Sequence, residues 1–282
     1  MSALNDTTVA FLGAGAMAEA MIAGVLNGGL LAPAQVHISH PRSARREELR
    51  ARYGIEAVAS NLEAAGSSEI VVLTVKPQVL RSLAGELRGA LKPEQMALSI
   101  VAGASINAVA TGLLHSSIAR AMPNTPAQIG QGMTVWTATA QVQPRQREHV
   151  QALLGALGKE LWVEDEKLLD MATALSGTGP TYVLLVMEAL IDAGVHMGFS
   201  RRVSQELVQQ TMLGAVMFAQ DTNRHPAELR NMVTSPGGTS AEAIYQMEKG
   251  GLRTVLSRAV YAAYQRTIAL SEAADRAMTK GS

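Results

Sequence analysis

Cysteine is absent from the 282 residues, which removes disulfides, thiolate zinc sites, iron–sulfur clusters and a cysteine nucleophile together. Charge is scarce too: Asp, Glu, Lys and Arg make up 17% of the chain, against a usual share of about 25%. What charge there is balances, with 24 basic and 24 acidic residues, so the positive excess that nucleic-acid binding draws on is missing and no nucleic-acid partner is expected. No Lys or Arg precedes Arg42, so neither a basic signal-peptide region nor an Arg-rich transit peptide is visible, and a cytoplasmic protein is the expectation. Uncharged stretches at 95–117 and 121–144 are broken by Asn107, Pro123, Asn124 and Pro126, which makes them poor bilayer spans; no membrane association is expected. The six histidines, His37, His40, His115, His149, His196 and His225, are dispersed without metal-ligand spacing, so no metal is expected. G-x-S-x-G and P-loop patterns are both missing, which takes support from acyl transfer and P-loop phosphoryl transfer.

Apolar residues, at 48%, are plentiful for so few charges, and that combination predicts subunit association. Thr7 to Leu12 is a β-branched and apolar run, followed by glycines and a helix-forming stretch from Met17 to Leu26. Further strands are predicted at Val36–Ser39, Glu69–Val75, Met96–Val101, Ile118–Ala121, Met133–Thr139 and Leu161–Val163, separated by helical segments such as Arg42–Arg52. Strands alternating with helices predict an α/β, Rossmann-type doubly wound sheet. After about Glu164 strand signals stop and helical spacing runs almost to the end, so the division falls into an NADP-binding domain at 1–164 and an all-helical domain at 165–282. From Leu252 to Leu270 the residues Leu252, Val255, Leu256, Ala259, Val260 and Ala263 share one helix face, and such a face in so uncharged a half predicts a homodimer built through the helical domain.

The first turn reads Gly13-Ala14-Gly15-Ala16-Met17-Ala18, a G-x-G-x-x-A pattern directly after a strand and opening a helix. Gly13 permits the tight turn, Gly15 lets a pyrophosphate approach the backbone, and Ala18 allows close helix–strand packing. Where an NAD-binding sheet would place an acidic residue after the second strand, the chain has Ser39-His40-Pro41-Arg42-Ser43. Arg42 can pair with a 2′-phosphate there, with Ser39 and His40 as short donors, which predicts NADP, and NADPH over NADH. Arg45 and Arg46 add to that basic cluster, though helices of this kind are often basic anyway. Val75-Lys76-Pro77 closes a buried strand at the end that faces the ligand crevice; Lys76 reads equally as a strand-end lysine reaching solvent. In the helical half, Ser176-Gly177-Thr178-Gly179-Pro180 precedes a long helix. Ser235-Pro236-Gly237-Gly238-Thr239-Ser240 precedes a helix predicted at Ala241–Lys249, where free amides suit a substrate carboxylate or serve as an ordinary capped turn.

Taken in order, the Gly-rich turn, Val75-Lys76-Pro77, Val101-Ala102-Gly103, Met122-Pro123-Asn124-Thr125-Pro126, Leu175 to Pro180 and the Ser-Pro-Gly-Gly loop resemble the pyrroline-5-carboxylate reductases from about Thr8 to Ser271. The resemblance implies reduction of 1-pyrroline-5-carboxylate to L-proline with NAD(P)H, the last step of proline biosynthesis, by a homodimer that also forms larger rings. Carried over by position, Gly13 to Ala18 would bind pyrophosphate, and Ser39, His40 and Arg42 the adenosine phosphate. Asn61, Val75, Lys76 and Pro77 would lie along the nucleotide, with Ala102 and Gly103 continuing that wall. Glu166, Ser176, Gly177 and Thr178 match positions near nicotinamide and substrate, and the loop from Ser235 through Gly237, Gly238 and Thr239 to Ser240 matches the substrate-carboxylate loop. Ser240 stands where the family normally has Thr, keeping the hydroxyl that lies near the ring nitrogen and losing the methyl that fixes its rotamer. Alternatives are another NADP-dependent imine reductase, a β-hydroxy-acid reductase, or a non-catalytic NADP sensor. The hydroxy-acid enzymes commonly use a lysine in the helical domain, and 168–199 contains none.

Overall fold

The computed structural model describes residues 4–279. The sequence alternation becomes an eight-stranded sheet: β1 (Val9–Leu12), β2 (Val36–Ser39), β3 (Glu56–Val58), β4 (Ile70–Leu73), β5 (Met96–Ser99), β6 (Ile118–Met122), β7 (Gly132–Ala138) and β8 (Gly158–Trp162). Their order across the sheet is β3-β2-β1-β4-β5-β6-β7-β8. All pairings are parallel except β6 with β7. The exception has a length reason, since a parallel return needs a crossover of about a dozen residues or more and the segment 123–131 offers only a single-turn 3₁₀ helix at Thr125–Ile129. β3 was not foreseen, and three residues carry too little pattern to announce a strand.

Helices cover both faces, so β1 and β4 are apolar at every position. Val9, Phe11, Ile70 and Val72 enter one buried cluster, and Ala10, Leu12, Val71 and Leu73 the other. Around the sheet run α1 (Ala16–Asn27), α2 (Ser43–Tyr53), α3 (Asn61–Gly66), α4 (Pro77–Glu86), α5 (Ile106–Leu113) and α6 (Pro144–Gly155). The helical half holds α7 (Lys167–Ala172), α8 (Gly179–His196), α9 (Arg201–Thr222), α10 (Pro226–Met232), α11 (Thr239–Lys249) and α12 (Leu252–Thr279). α11 begins two residues before the predicted Ala241, with Gly238 as its N-cap.

By compactness the chain divides at a different place from the change of texture at 164. One unit takes the residues to Thr178 and those from Ala263 onward, and the other is Gly179–Ala262. Residues 165–178 stay with the sheet because Glu166 and Asp170 pair with Arg120 on β6. The end of α12 joins the same unit through Ser271 and Leu270. In the second unit α8 and α9 leave Leu184, Leu185, Val216, Met217 and Phe218 exposed within the single chain. Residues 167–196 form a helical run that by length and composition is apolar enough to cross a bilayer.

His149, on α6, is buried against Thr7. Burial, reinforced by the Arg145 charge and opposed by Glu69 and Glu148, holds its imidazole below the ordinary value. The unfolded chain therefore binds the proton first as pH falls through about 6.5, and stability is lost on that side. Urea midpoints at pH 7.5 and 5.5 are expected to differ more in the wild type than in His149→Gln; an equal difference would remove His149 from the acid response.

Candidate active site

The strand order reverses between β1 and β4, and the crevice outside their carboxyl ends is where open α/β sheets bind ligands. The Gly-rich turn starts there. Gly13 has φ +97°, and a Cβ on it would stand 2.8 Å from Val75 Cγ1 and 3.2 Å from the Thr74 carbonyl, so conformation and space both demand glycine. Its amide donates to Ser39 O at 3.1 Å, and Thr74 Oγ1 donates to Leu12 O at 2.9 Å. Gly15 is different: as N-cap of α1 it has φ −80°, and a Cβ on it would meet no atom of the described residues within 4 Å. Neither strain nor crowding inside the chain asks for glycine at 15. An open face before a helix amino terminus is the shape a pyrophosphate needs, so these residues fit a dinucleotide. Ala14 and Ala18 are buried, Ala16 is exposed, and Met17 is half-buried against the core.

At the end of β2, Ser39 is fully buried and its Oγ donates to Asn61 Oδ1 at 2.5 Å; Asn61 Nδ2 donates to Glu86 Oε2 at 2.7 Å. The structure thus brings Ser39 and Asn61 together, but with the serine hydroxyl turned to Asn61. His40 Nδ1 accepts the Arg42 amide at 3.2 Å, which leaves the neutral ring its proton on Nε2. Burial, with the charges of Arg42, Arg45 and Arg46 added, pushes this imidazole below its ordinary value. The three arginines part company here. Arg46 is held by the carbonyls of His40 and Pro41 and Arg45 by Glu19, whereas the exposed Arg42 side chain enters no ion pair or hydrogen bond among the described residues.

Across the switch point, Pro77 opens α4 and Lys76, exposed, is its N-cap. After β5, Ala102 is exposed, while Gly103 at φ +71° is buried against α12, where an added Cβ would stand 3.2 Å from Leu270 Cβ. Glu166 Oε1 takes the Ile106 amide and Arg120 Nη1, both at 2.7 Å, so it caps α5, leaving Oε2 as the oxygen for any further partner. Ser176 and Gly177 lie in a turn of π-helix, Thr173–Gly177, closed by Thr178 N donating to Thr173 O at 2.8 Å. Such single wide turns recur at functional sites. Asn124 Nδ2 donates to Ser176 O at 3.2 Å, and Asn124 Oδ1 accepts the Met133 amide.

In the second unit, Gly237 sits at φ +69° and Gly238 N donates to Ser235 O at 3.0 Å, which places Thr239 and Ser240 in the first turn of α11. Two polar side chains of the first unit escaped sequence reasoning as site supports, Asn124 and Arg120. Asn124 lay in a recognised motif without a role, and Arg120 reads only as a charge interrupting an apolar strand.

Fold and turn together define an NAD(P)-dependent oxidoreductase. Residues 8–103 match a family described as NADP oxidoreductase, coenzyme F420-dependent, and residues 166–270 one described as pyrroline-5-carboxylate reductase dimerisation. A pyrroline-5-carboxylate reductase from Synechocystis is 42% identical over 257 residues, covering 91% of this chain and 95% of the relative. The structure of such a reductase from Coxiella burnetii aligns with TM-score 0.88 at 31% identity, over 94% of this chain and 98% of that one. The Plasmodium falciparum pyrroline carboxylate reductase, solved with NADP bound, aligns with TM-score 0.85 at 29% identity over the same shares. The chain belongs to the pyrroline-5-carboxylate reductase family.

Proposed function

We propose that this protein reduces 1-pyrroline-5-carboxylate to L-proline, with NADPH preferred over NADH, as a cytoplasmic homodimer formed through its helical half and assembled into a larger ring of dimers. Family membership over nine-tenths of the chain carries the substrate reading. The dinucleotide reading is supported by the glycine at 15, which nothing inside the chain requires. A dimerisation family spanning 166–270 supports a second copy, not a bilayer, as the cover for the apolar helices there.

When bound, the reduced nicotinamide supplies the hydride that adds to the carbon of the protonated C=N group, whose π pair becomes the nitrogen lone pair of proline. The amides opening α1, in the turn Gly13 to Ala18, receive the pyrophosphate. Arg42 and the Nε2–H of His40 receive the 2′-phosphate, beside Ser39 and Asn61. Val75, Lys76, Pro77 and Ala102 wall the nucleotide, with Gly103 packed on Leu270 behind them, and Glu166, Ser176, Gly177 and Thr178 border the reacting rings. Ser235, Gly237, Gly238 and Thr239 hold the substrate carboxylate, and the Ser240 hydroxyl orients the ring nitrogen. An iminium is already a strong electrophile, so orientation supplies more of the catalysis than a strong acid would.

Purified protein is expected to oxidise NADPH rapidly with 1-pyrroline-5-carboxylate and more slowly with NADH. Silence there, with turnover of a six-membered imine or of a hydroxy acid with NADP, would overturn the substrate. Ser240→Ala is expected to lower kcat by about tenfold or more, the worth of one hydrogen bond to a charged group, with the KM for NADPH unchanged. Unaltered turnover would take Ser240 out of the mechanism.

A further inference from the structure

We propose that Arg45 is a positioning residue for the dinucleotide: locked by Glu19, it holds the Ala14 carbonyl and so aims the Gly15 amide, without binding the 2′-phosphate itself. The inference rests on the reading of Gly13 to Ala18 as the pyrophosphate turn.

In the sequence Arg42 stands first for the phosphate, with Arg45 and Arg46 beside it in the same basic cluster. Arg45 is instead occupied on three sides: Nε donates to Ala14 O at 3.0 Å, Nη1 pairs with Glu48 at 2.8 Å, and Nη2 pairs with Glu19. Its side chain is 14% exposed and that of Glu19 20%. Glu19 Oε1 also accepts Arg52 Nη1 at 2.7 Å and Tyr53 OH at 3.2 Å, tying both ends of α2 to the first turn of α1. Burial would raise the Glu19 carboxyl, but Arg45, Tyr53 and Arg52 outweigh it and hold it below its ordinary value, so the knot stays ionised at neutral pH. Two arginines and two carboxylates cancel, and a phosphate gains little from Arg45 as a charge.

What Arg45 offers is direction. Ala14 C=O and Gly15 N–H belong to one planar trans peptide unit and point opposite ways. Pinning that carbonyl toward α2 fixes the amide on the far side of the peptide plane, away from α2, beside a Gly15 Cα whose side-chain position is open. Pyrophosphate is common to NADPH and NADH, whereas the 2′-phosphate is not. Arg45 must then act on both nucleotides in equal proportion, and Arg42 on NADPH alone.

The test measures Kd for NADP+ and NAD+ by calorimetry on the purified oligomer, beside kcat and KM. Arg45→Met is expected to raise both Kd values by about tenfold and in the same ratio, with kcat at saturating nucleotide little changed. Arg45→Lys, whose single ammonium cannot serve Ala14, Glu19 and Glu48 at once, should recover part of the loss. Glu19→Gln should shift both Kd values in the same direction as Arg45→Met, and serves if Arg45→Met fails to fold. A merely structural arginine would lower the melting temperature and leave Kd alone, and that result overturns the proposal. So does a rise confined to NADP+, which would make Arg45 a phosphate ligand. Wild-type protein binding neither nucleotide would overturn the reading of the turn, and this inference with it.

Discussion

Arg120→Met is expected to lower the free energy of unfolding by about 3 kcal/mol, the lower end of what removing one partner of a buried ion pair costs. Arg120 is 4% exposed and holds two carboxylates, Glu166 at 2.7 Å and Asp170 at 3.0 Å, whose partial exposure of 30% and 18% keeps the figure from the upper end. Methionine fills most of the volume but leaves both charges facing an apolar strand. Two further contacts depend on the arrangement, the Ile106 amide on Glu166 and the Ser271 hydroxyl on Asp170, and through them the seating of α5 and the end of α12. Denaturant midpoints at one fixed protein concentration read the effect, since association couples to stability. Adding Glu166→Gln and Asp170→Asn to Arg120→Met should regain much of the loss, because the penalty lies in the orphaned charges. A loss below about 1 kcal/mol, the range of an exposed pair, would mean that packing alone seats α7.

The second large effect separates the two glycines of the turn. Gly15→Ala is expected to leave folding within about 1 kcal/mol of wild type, the scale of an N-cap change, because its methyl meets nothing in the chain. Nucleotide affinity should nevertheless fall by tenfold or more, roughly 1.4 kcal/mol, since that methyl stands on the face a pyrophosphate must approach. Gly13→Ala should lose both, since φ +97° strains any side chain and the added Cβ meets Val75 and the Thr74 backbone. Melting temperature and nucleotide Kd measured on both variants give the comparison. An undiminished affinity in Gly15→Ala would place the dinucleotide elsewhere.

The contrast between these residues marks how far the sequence can be read. The turn at Gly13 to Ala18, six of the eight strands within about two residues at most ends, and the change to helices after 164 were legible because each is written in local order: period, turn chemistry and β-branched runs. The beginning of β8, placed three residues earlier than predicted, and the short β3 were not, because their few residues acquire strand geometry from neighbours already in the sheet. The Ser-Pro-Gly-Gly loop and its helix were visible, with the start of α11 displaced by the N-cap role that Gly238 takes.

Sequence by itself determined the class of fold, the Gly-rich turn between β1 and α1 and, through motifs kept in order, the family. Only the tertiary structure decided that Arg42 has no partner among the described residues while Arg45 and Arg46 are engaged, that Glu166 is held by Arg120, and that Gly103 packs on Leu270. The physical reason is separation along the chain. Glu19 lies 26 residues from Arg45, and Glu166 lies 46 from Arg120. A charge declares its sign in the sequence, but its partner and its burial are properties of the folded surface that brings distant segments together.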